Sequence, residues 1–167
     1  MKNNEDIKPD RMMKVNAKTS YPIYDLSKHI GDERYNKLTE KVKEYYALSI
    51  QNCNSIGFKS LGLPKNKFKD FIILNMSFDK LNPETKKYIL YHEEAHIQLR
   101  HKRSNIKEFQ FVKEGEADMY AFKKLKIKTV SEAIKYITYM INSNLAYSNC
   151  EKILKCIFRM KELGMLK

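Results

Sequence analysis

His92-Glu93-Glu94-Ala95-His96 is an H-E-x-x-H run inside a stretch with helical patterning. Residues four apart stack on one helical face. Two imidazoles at this spacing can therefore converge on one zinc ion while Glu93 stands beside an open coordination position. Zinc so held lowers the pKa of water toward ~7, and a nearby carboxylate can take a proton from that water and pass it to a leaving amine. Peptide hydrolysis is the chemistry this arrangement serves. The alternative, for so short a run, is an ordinary solvated helix face.

The flanking residues favour the metal. Asn82-Pro83-Glu84 reads as a helix start, with a capping side chain, proline at the first helical position and an acid in the first turn. Tyr88, Ile89, His92, His96 and Leu99 then fall on one face expected to turn inward, leaving Glu94, Gln98 and Arg100 for the solvent side. Two ligands hold zinc poorly, and a second helical stretch, Phe111 to Phe122, offers the third. Glu114 and Asp118 share a face there, with the small residues Ala117 and Ala121 and with Leu125 close to it. Glu114 is expected to ligate. Asp118 is expected to accept a hydrogen bond from the far ring nitrogen of a ligating histidine and so fix its tautomer. Glu116 is the competing ligand, although it leaves the helix on another side. His101, five residues beyond His96, is expected to cap the helix or lie at the surface, and His29 has no motif partner. Tyr91 and Tyr120 are candidates for polarising a scissile carbonyl, against the more ordinary role of packed aromatics.

His92 to His101 followed by Glu114-Gly115-Glu116-Ala117-Asp118-Met119-Tyr120-Ala121 resembles the HExxHxxLH and ExEAxxFA pattern of ImmA/IrrE-type metallopeptidases, small gluzincin-like proteins of bacteria, mobile elements and phages. The resemblance covers roughly residues 55 to 125. It implies that His92, His96 and Glu114 are zinc ligands and that Glu93 is the general base. Asp118 stands where that family usually has Asn, as in the ExxxD arrangement of thermolysin-like gluzincins, and Ala95 replaces the usual glycine before the second histidine. The resemblance further implies a protein substrate, a helix-turn-helix transcriptional repressor of a mobile element or phage being the typical one.

With 167 residues, 43% of them hydrophobic, the chain can bury a core, and the expected class is α+β: a mainly helical, minimal zincin-like domain whose small sheet precedes the active-site helix. Residues 1–20 are expected to be a flexible segment, 21–130 the metallopeptidase core, and 131–167 a helical extension packed on it. Glu33 to Ile50 reads as a helix capped by Asp32 with Tyr45, Tyr46 and Ile50 facing inward, and Phe71 to Met76 reads as a buried strand. By analogy with zincins, a strand near 70–77, or a neighbour near 55–60, would bind extended substrate by strand addition. Ser131 to Ile141 and Ser148 to Leu163 read as two closing helices with serine caps and Gly164 as a stop. Their apolar stripes are Ala133, Ile134, Ile137, Met140 and Ile141, and Ile153, Leu154, Ile157, Phe158 and Met160.

Neither a run of apolar residues of membrane-spanning length nor a hydrophobic signal core in Met1 to Lys18 is read, so a soluble cytoplasmic protein is expected. Cys53, Cys150 and Cys156 lack C-x-x-C spacing and are expected to be reduced thiols packed as small apolar residues. A net charge of +12, with Lys123, Lys124, Lys126 and Lys128 clustered, attracts acidic partners. Yet the lysines are otherwise scattered, few arginines are present, and no zinc-finger or aromatic RNA-binding motif appears, which disfavours a nucleic-acid role. Two classes of function stay open: a zinc-dependent endopeptidase acting on an intracellular regulator, and a zincin-fold binding or regulatory module with little catalysis, in contact with nucleic acid or a DNA-bound partner.

Overall fold

The computed structural model describes residues 8–15, 18–26, 28–29, 46–51, 69–101, 106–142 and 147–167. The fold is α+β. The chain divides into two compact units, Met1–Asp79 and Lys80–Lys167, where one domain was expected from length alone.

The first unit contains a four-stranded sheet of β1 (Arg11–Lys14), β2 (Ser20–Asp25), β3 (Ala47–Ile50) and β4 (Phe71–Leu74), followed by one helical turn, α1 (Met76–Asp79). The spatial order is β1-β2-β4-β3, with β2 and β4 parallel and the outer pairs antiparallel. All four residues of β4 are buried, as befits a central strand whose sequence is an unbroken apolar run. Tyr24 packs edge-on against Phe71, their ring centroids 5.6 Å apart.

Three expectations change here. β1 forms within the segment expected to be flexible; Arg11–Lys14 pairs with Ser20–Ile23, and Asp10 is tied in beside it. Residues 47–50, expected to end a helix, form an edge strand, because Leu48 and Ile50 alternate with Ala47 and Ser49 and find β4 as a partner. Residues 31–45, the body of that expected helix, lie outside the described residues, as do residues 55–60 and Cys53. The strand expected at Phe71 to Met76 ends at Leu74. It is hydrogen-bonded on both sides, so it has no free edge onto which a substrate strand could add.

Asp10 organises one corner of this unit. Its Oδ2 accepts from the Asp25 amide at 2.7 Å and lies 2.8 Å from His29 Nε2, giving His29 a partner that its sequence context did not reveal.

The second unit is helical: α2 (Pro83–Gln98), α3 (Lys107–Lys124), α4 (Val130–Asn142) and α5 (Tyr147–Glu162). α2 packs on α3 and α4, and α5 packs on α3 and α4. α2 starts as its sequence dictates, with Asn82 Oδ1 accepting from the Thr85 amide at 2.9 Å and Pro83 in the first turn. α4 starts one residue before Ser131. Its cap is Thr129, whose hydroxyl accepts from the Glu132 amide at 3.2 Å while Glu132 Oε2 accepts from the Thr129 amide at 3.1 Å, a reciprocal capping box. α5 begins at Tyr147, which places Ser148 within its first turn.

Ala133 and Ile137 are buried, but Ile134 is exposed. On α5 the buried stripe is Ile153, Cys156, Ile157 and Met160, and Phe158, expected inside, is 57% exposed because it leaves the helix one step round from Ile157. The Cys150 and Cys156 thiols are free and buried. Burial pushes the Cys156 thiol up to about 12, so it stays protonated.

Three of these helices end with the same device. α2 closes through Arg100 (φ 53), α3 through Lys126 (φ 59) and α5 through Gly164 (φ 69), each in the left-handed region just past the helix cap. In each, the amide of the following residue returns to a carbonyl five residues back: His101 to His96 at 3.0 Å, Ile127 to Phe122 at 3.1 Å and Met165 to Met160 at 2.9 Å. These are Schellman closures. Only the last uses the glycine that a sequence reading looks for.

Candidate metal centre

Every residue of the site comes from α2, α3 and the short turn that ends α2. His92 and His96, one helical turn apart, bring their Nε2 atoms to 3.2 Å from each other. Glu114 on α3 meets them, with Oε2 3.1 Å from His92 Nε2 and Oε1 3.7 Å from His96 Nε2. One ligand atom from each of the three residues lies within 4.8 Å of the others. Ala117 and Ala121 are fully buried on α3, and small residues of this kind let a helix lie close to its neighbour.

Hydrogen-bond partners fix the tautomers. Asp118 Oδ1 lies 2.8 Å from His92 Nδ1 and also accepts from the buried Tyr88 hydroxyl. An ionised carboxylate only accepts, so His92 carries a proton on Nδ1 and turns Nε2 to the cluster. His96 is fixed from further away. His101 Nε2 is 2.9 Å from Glu116 Oε2 and must donate to it, which leaves the lone pair of neutral His101 on Nδ1. That nitrogen is 2.9 Å from His96 Nδ1, which therefore donates, and His96 Nε2 is left bare toward the cluster. Burial lowers the His101 pKa below the ordinary histidine value.

Two imidazole lone pairs and a carboxylate turned toward one another repel unless positive charge sits among them. Burial works against charge on His92, but hydrogen bonds to Asp118 and Glu114 outweigh it and hold its pKa well above the ordinary value. Burial likewise raises the Glu114 pKa, and hydrogen bonds to His92 and His96 outweigh it, holding the carboxyl far below the usual carboxylate range. A proton or a metal ion among these atoms supplies the charge they demand.

The donor set fits zinc. Zn–N and Zn–O bonds of roughly 2.0–2.2 Å put neighbouring ligands of a tetrahedron about 3.3–3.6 Å apart. The separations of 3.1, 3.2 and 3.7 Å lie around that range. Among the described residues no fourth histidine, cysteine or carboxylate joins the group, which is the pattern of a site with one position open to water or substrate.

The five residues singled out in the sequence fall as follows. His92, His96 and Glu114 come together, and Asp118 stands behind His92. Glu93 is buried beside them, and its negative charge acts on His92. Glu116 does not enter the cluster; it holds His101. His101, expected at the surface or as a cap, has a side chain only 7% exposed and packs edge-on against His96. Glu94, expected on the wet face, is 0% exposed; its Oε1 accepts from the Tyr120 hydroxyl at 2.6 Å and lies 3.5 Å from Lys124 Nζ. Leu99, expected inward, is 46% exposed because the chain is already turning at the helix end.

Sequence reasoning overlooked the Tyr88 hydroxyl, although its place four residues before His92 puts it on the ligand face. Of the lysine cluster, Lys124 is paired with Glu94 and lies over the Tyr120 ring, while Lys123, Lys126 and Lys128 are exposed. Among the described residues no helix is long and apolar enough to cross a membrane. No protein-family model, curated protein or solved structure matches the chain.

Proposed function

We propose that this chain is a zinc-dependent endopeptidase of the ImmA/IrrE kind, acting in the cytoplasm on an extended segment of a regulatory protein such as a helix-turn-helix repressor of a mobile element or phage. The observation that carries the proposal is the convergence of His92 Nε2, His96 Nε2 and the Glu114 carboxylate, with Asp118 on the far side of His92. Bound there, zinc supplies Lewis acidity toward water and a substrate carbonyl.

The chain's own residues do the rest. Asp118 and His101 orient the two ligand rings. Glu93, adjacent to His92 in sequence, takes a proton from water as the oxygen adds to the carbonyl carbon, then delivers it to the amide nitrogen as the C–N bond breaks. Three converging groups, with no fourth among the described residues, favour catalysis over a purely structural or binding use of the same scaffold.

The test pairs metal content with cleavage. Wild type and Glu93→Gln should each bind one zinc, and His96→Ala should lose most of it. Glu93→Gln should cleave a repressor substrate roughly 10²–10⁴-fold more slowly with its fold intact. Equal zinc content in wild type and His96→Ala would sink the metal assignment. Undiminished cleavage by Glu93→Gln would move the base elsewhere.

A further inference from the structure

The geometry points to His101 and Glu116 as positioning residues for the second zinc ligand. They form a relay, Glu116 Oε2 to His101 Nε2 and His101 Nδ1 to His96 Nδ1, that dictates which nitrogen of His96 faces the metal. This rests on the metal reading of His92, His96 and Glu114 given above.

The relay has no slack in its donors and acceptors. Glu116 offers only acceptors, so the His101 proton sits on Nε2; the bare Nδ1 offers only an acceptor, so His96 must present a proton on Nδ1. Both links are 2.9 Å long. The opposite tautomer of His96 would place a hydrogen on Nε2, 3.2 Å from His92 Nε2, where a ligand lone pair is needed. A water at His96 Nδ1 could donate or accept with equal ease and would fix nothing. A neutral histidine whose other nitrogen is already committed can only accept.

The backbone builds the relay. Continued as a regular helix, α2 would carry His101 well off the His96 face. Arg100 instead adopts φ 53, and the Schellman closure turns the chain so that the His101 amide bonds to the His96 carbonyl at 3.0 Å. The two rings are thereby stacked edge to face, centroids 5.0 Å apart, and His101 is nearly closed to solvent. Glu116 reaches this ring from α3, two residues beyond Glu114, so one helix supplies both a ligand and the far anchor of another ligand. His92 and His96 are thus oriented by different means, a direct carboxylate for the first and a carboxylate acting through an imidazole for the second.

Zinc affinity measured by chelator competition tests the relay without any peptide substrate. His101→Ala should weaken zinc binding roughly 10- to 100-fold, and Glu116→Ala several-fold. Glu116→Gln keeps an acceptor for His101 and should recover most of the loss. Nitrogen-15 spectra of the imidazoles give an independent reading: wild-type His96 should be protonated at Nδ1, while both alanine variants should show mixed tautomers. Glu116 is 50% exposed, so its variants should fold normally. Tight zinc binding by wild type with unchanged affinity and tautomer in His101→Ala and Glu116→Ala would overturn the relay and leave the metal site standing. A wild type that binds no zinc would remove both.

Discussion

Asp118 Oδ1 sits 2.8 Å from His92 Nδ1, on the side of the imidazole opposite Glu114, and takes the Tyr88 hydroxyl at the same oxygen. The contact keeps the Nε2 lone pair of His92 in the cluster. Asp118→Ala should therefore weaken zinc affinity roughly 10- to 100-fold, while Asp118→Asn, whose carbonyl oxygen can still accept from both donors, should lose much less. Equal losses in zinc titrations of the two variants would show that the charge of Asp118 matters more than the tautomer it selects.

The Glu94 carboxylate is buried against Tyr120 and Lys124 of α3, and its Oε2 has no hydrogen-bond partner among the described residues. Tyr120→Phe removes the shorter contact and leaves more of the charge unsatisfied. It should cost about 1.5–3 kcal/mol in urea unfolding. A cost near zero would mean that the hydroxyl contact adds nothing net to folding.

Lys126 is exposed and held at φ 59, where a side chain is strained. Lys126→Gly should raise stability by roughly 0.5–1 kcal/mol with zinc binding unchanged. Lys126→Val, a β-branched residue at the same angle, should lower the unfolding midpoint. The same midpoint for both variants would mean that the left-handed turn relaxes without cost.

Burial raises the Asp10 pKa, but the Asp25 amide, His29 and Lys28 outweigh it and hold the carboxyl below its ordinary value of 3.8. A depressed folded pKa adds stability above the unfolded value, and that stability is lost as pH falls through the folded one. Asp10→Asn should thus be less stable than wild type by about 1 kcal/mol at pH 6, with the gap closing below pH 3.8. A gap that widens on acidification would reverse the assigned sign.

How much of this was legible in the sequence depends on how regular the backbone is at each position. His92, His96, Glu114 and Asp118 could be placed because each pair is four apart within an uninterrupted helix, where spacing alone decides the face. His101 could not, because its position depends on a left-handed residue at Arg100, and arginine carries no signal for that conformation. Glu94 was misplaced because a charge suggests solvent, whereas its partners lie 26 and 30 residues further along a different helix. Leu48 and Ile50 suit a helix or a strand equally well in so short a run, and only pairing with β4 settles them. The class was readable from the alternation of one strongly apolar strand with long amphipathic stretches; the order of the strands was not, since it is set by partners distant in sequence.

The contact of Glu94 with Tyr120 and Lys124 joins α2 to α3 through residues other than the three proposed ligands. Alignment of the two helices therefore does not wait for an ion. The loss of chain freedom needed to gather the ligands is met when the protein folds, and an arriving cation finds a standing cage. Affinity then reflects the match between cage and ion more than the work of assembling it. Removing the ion should leave the helix pair in register, ready to be loaded again.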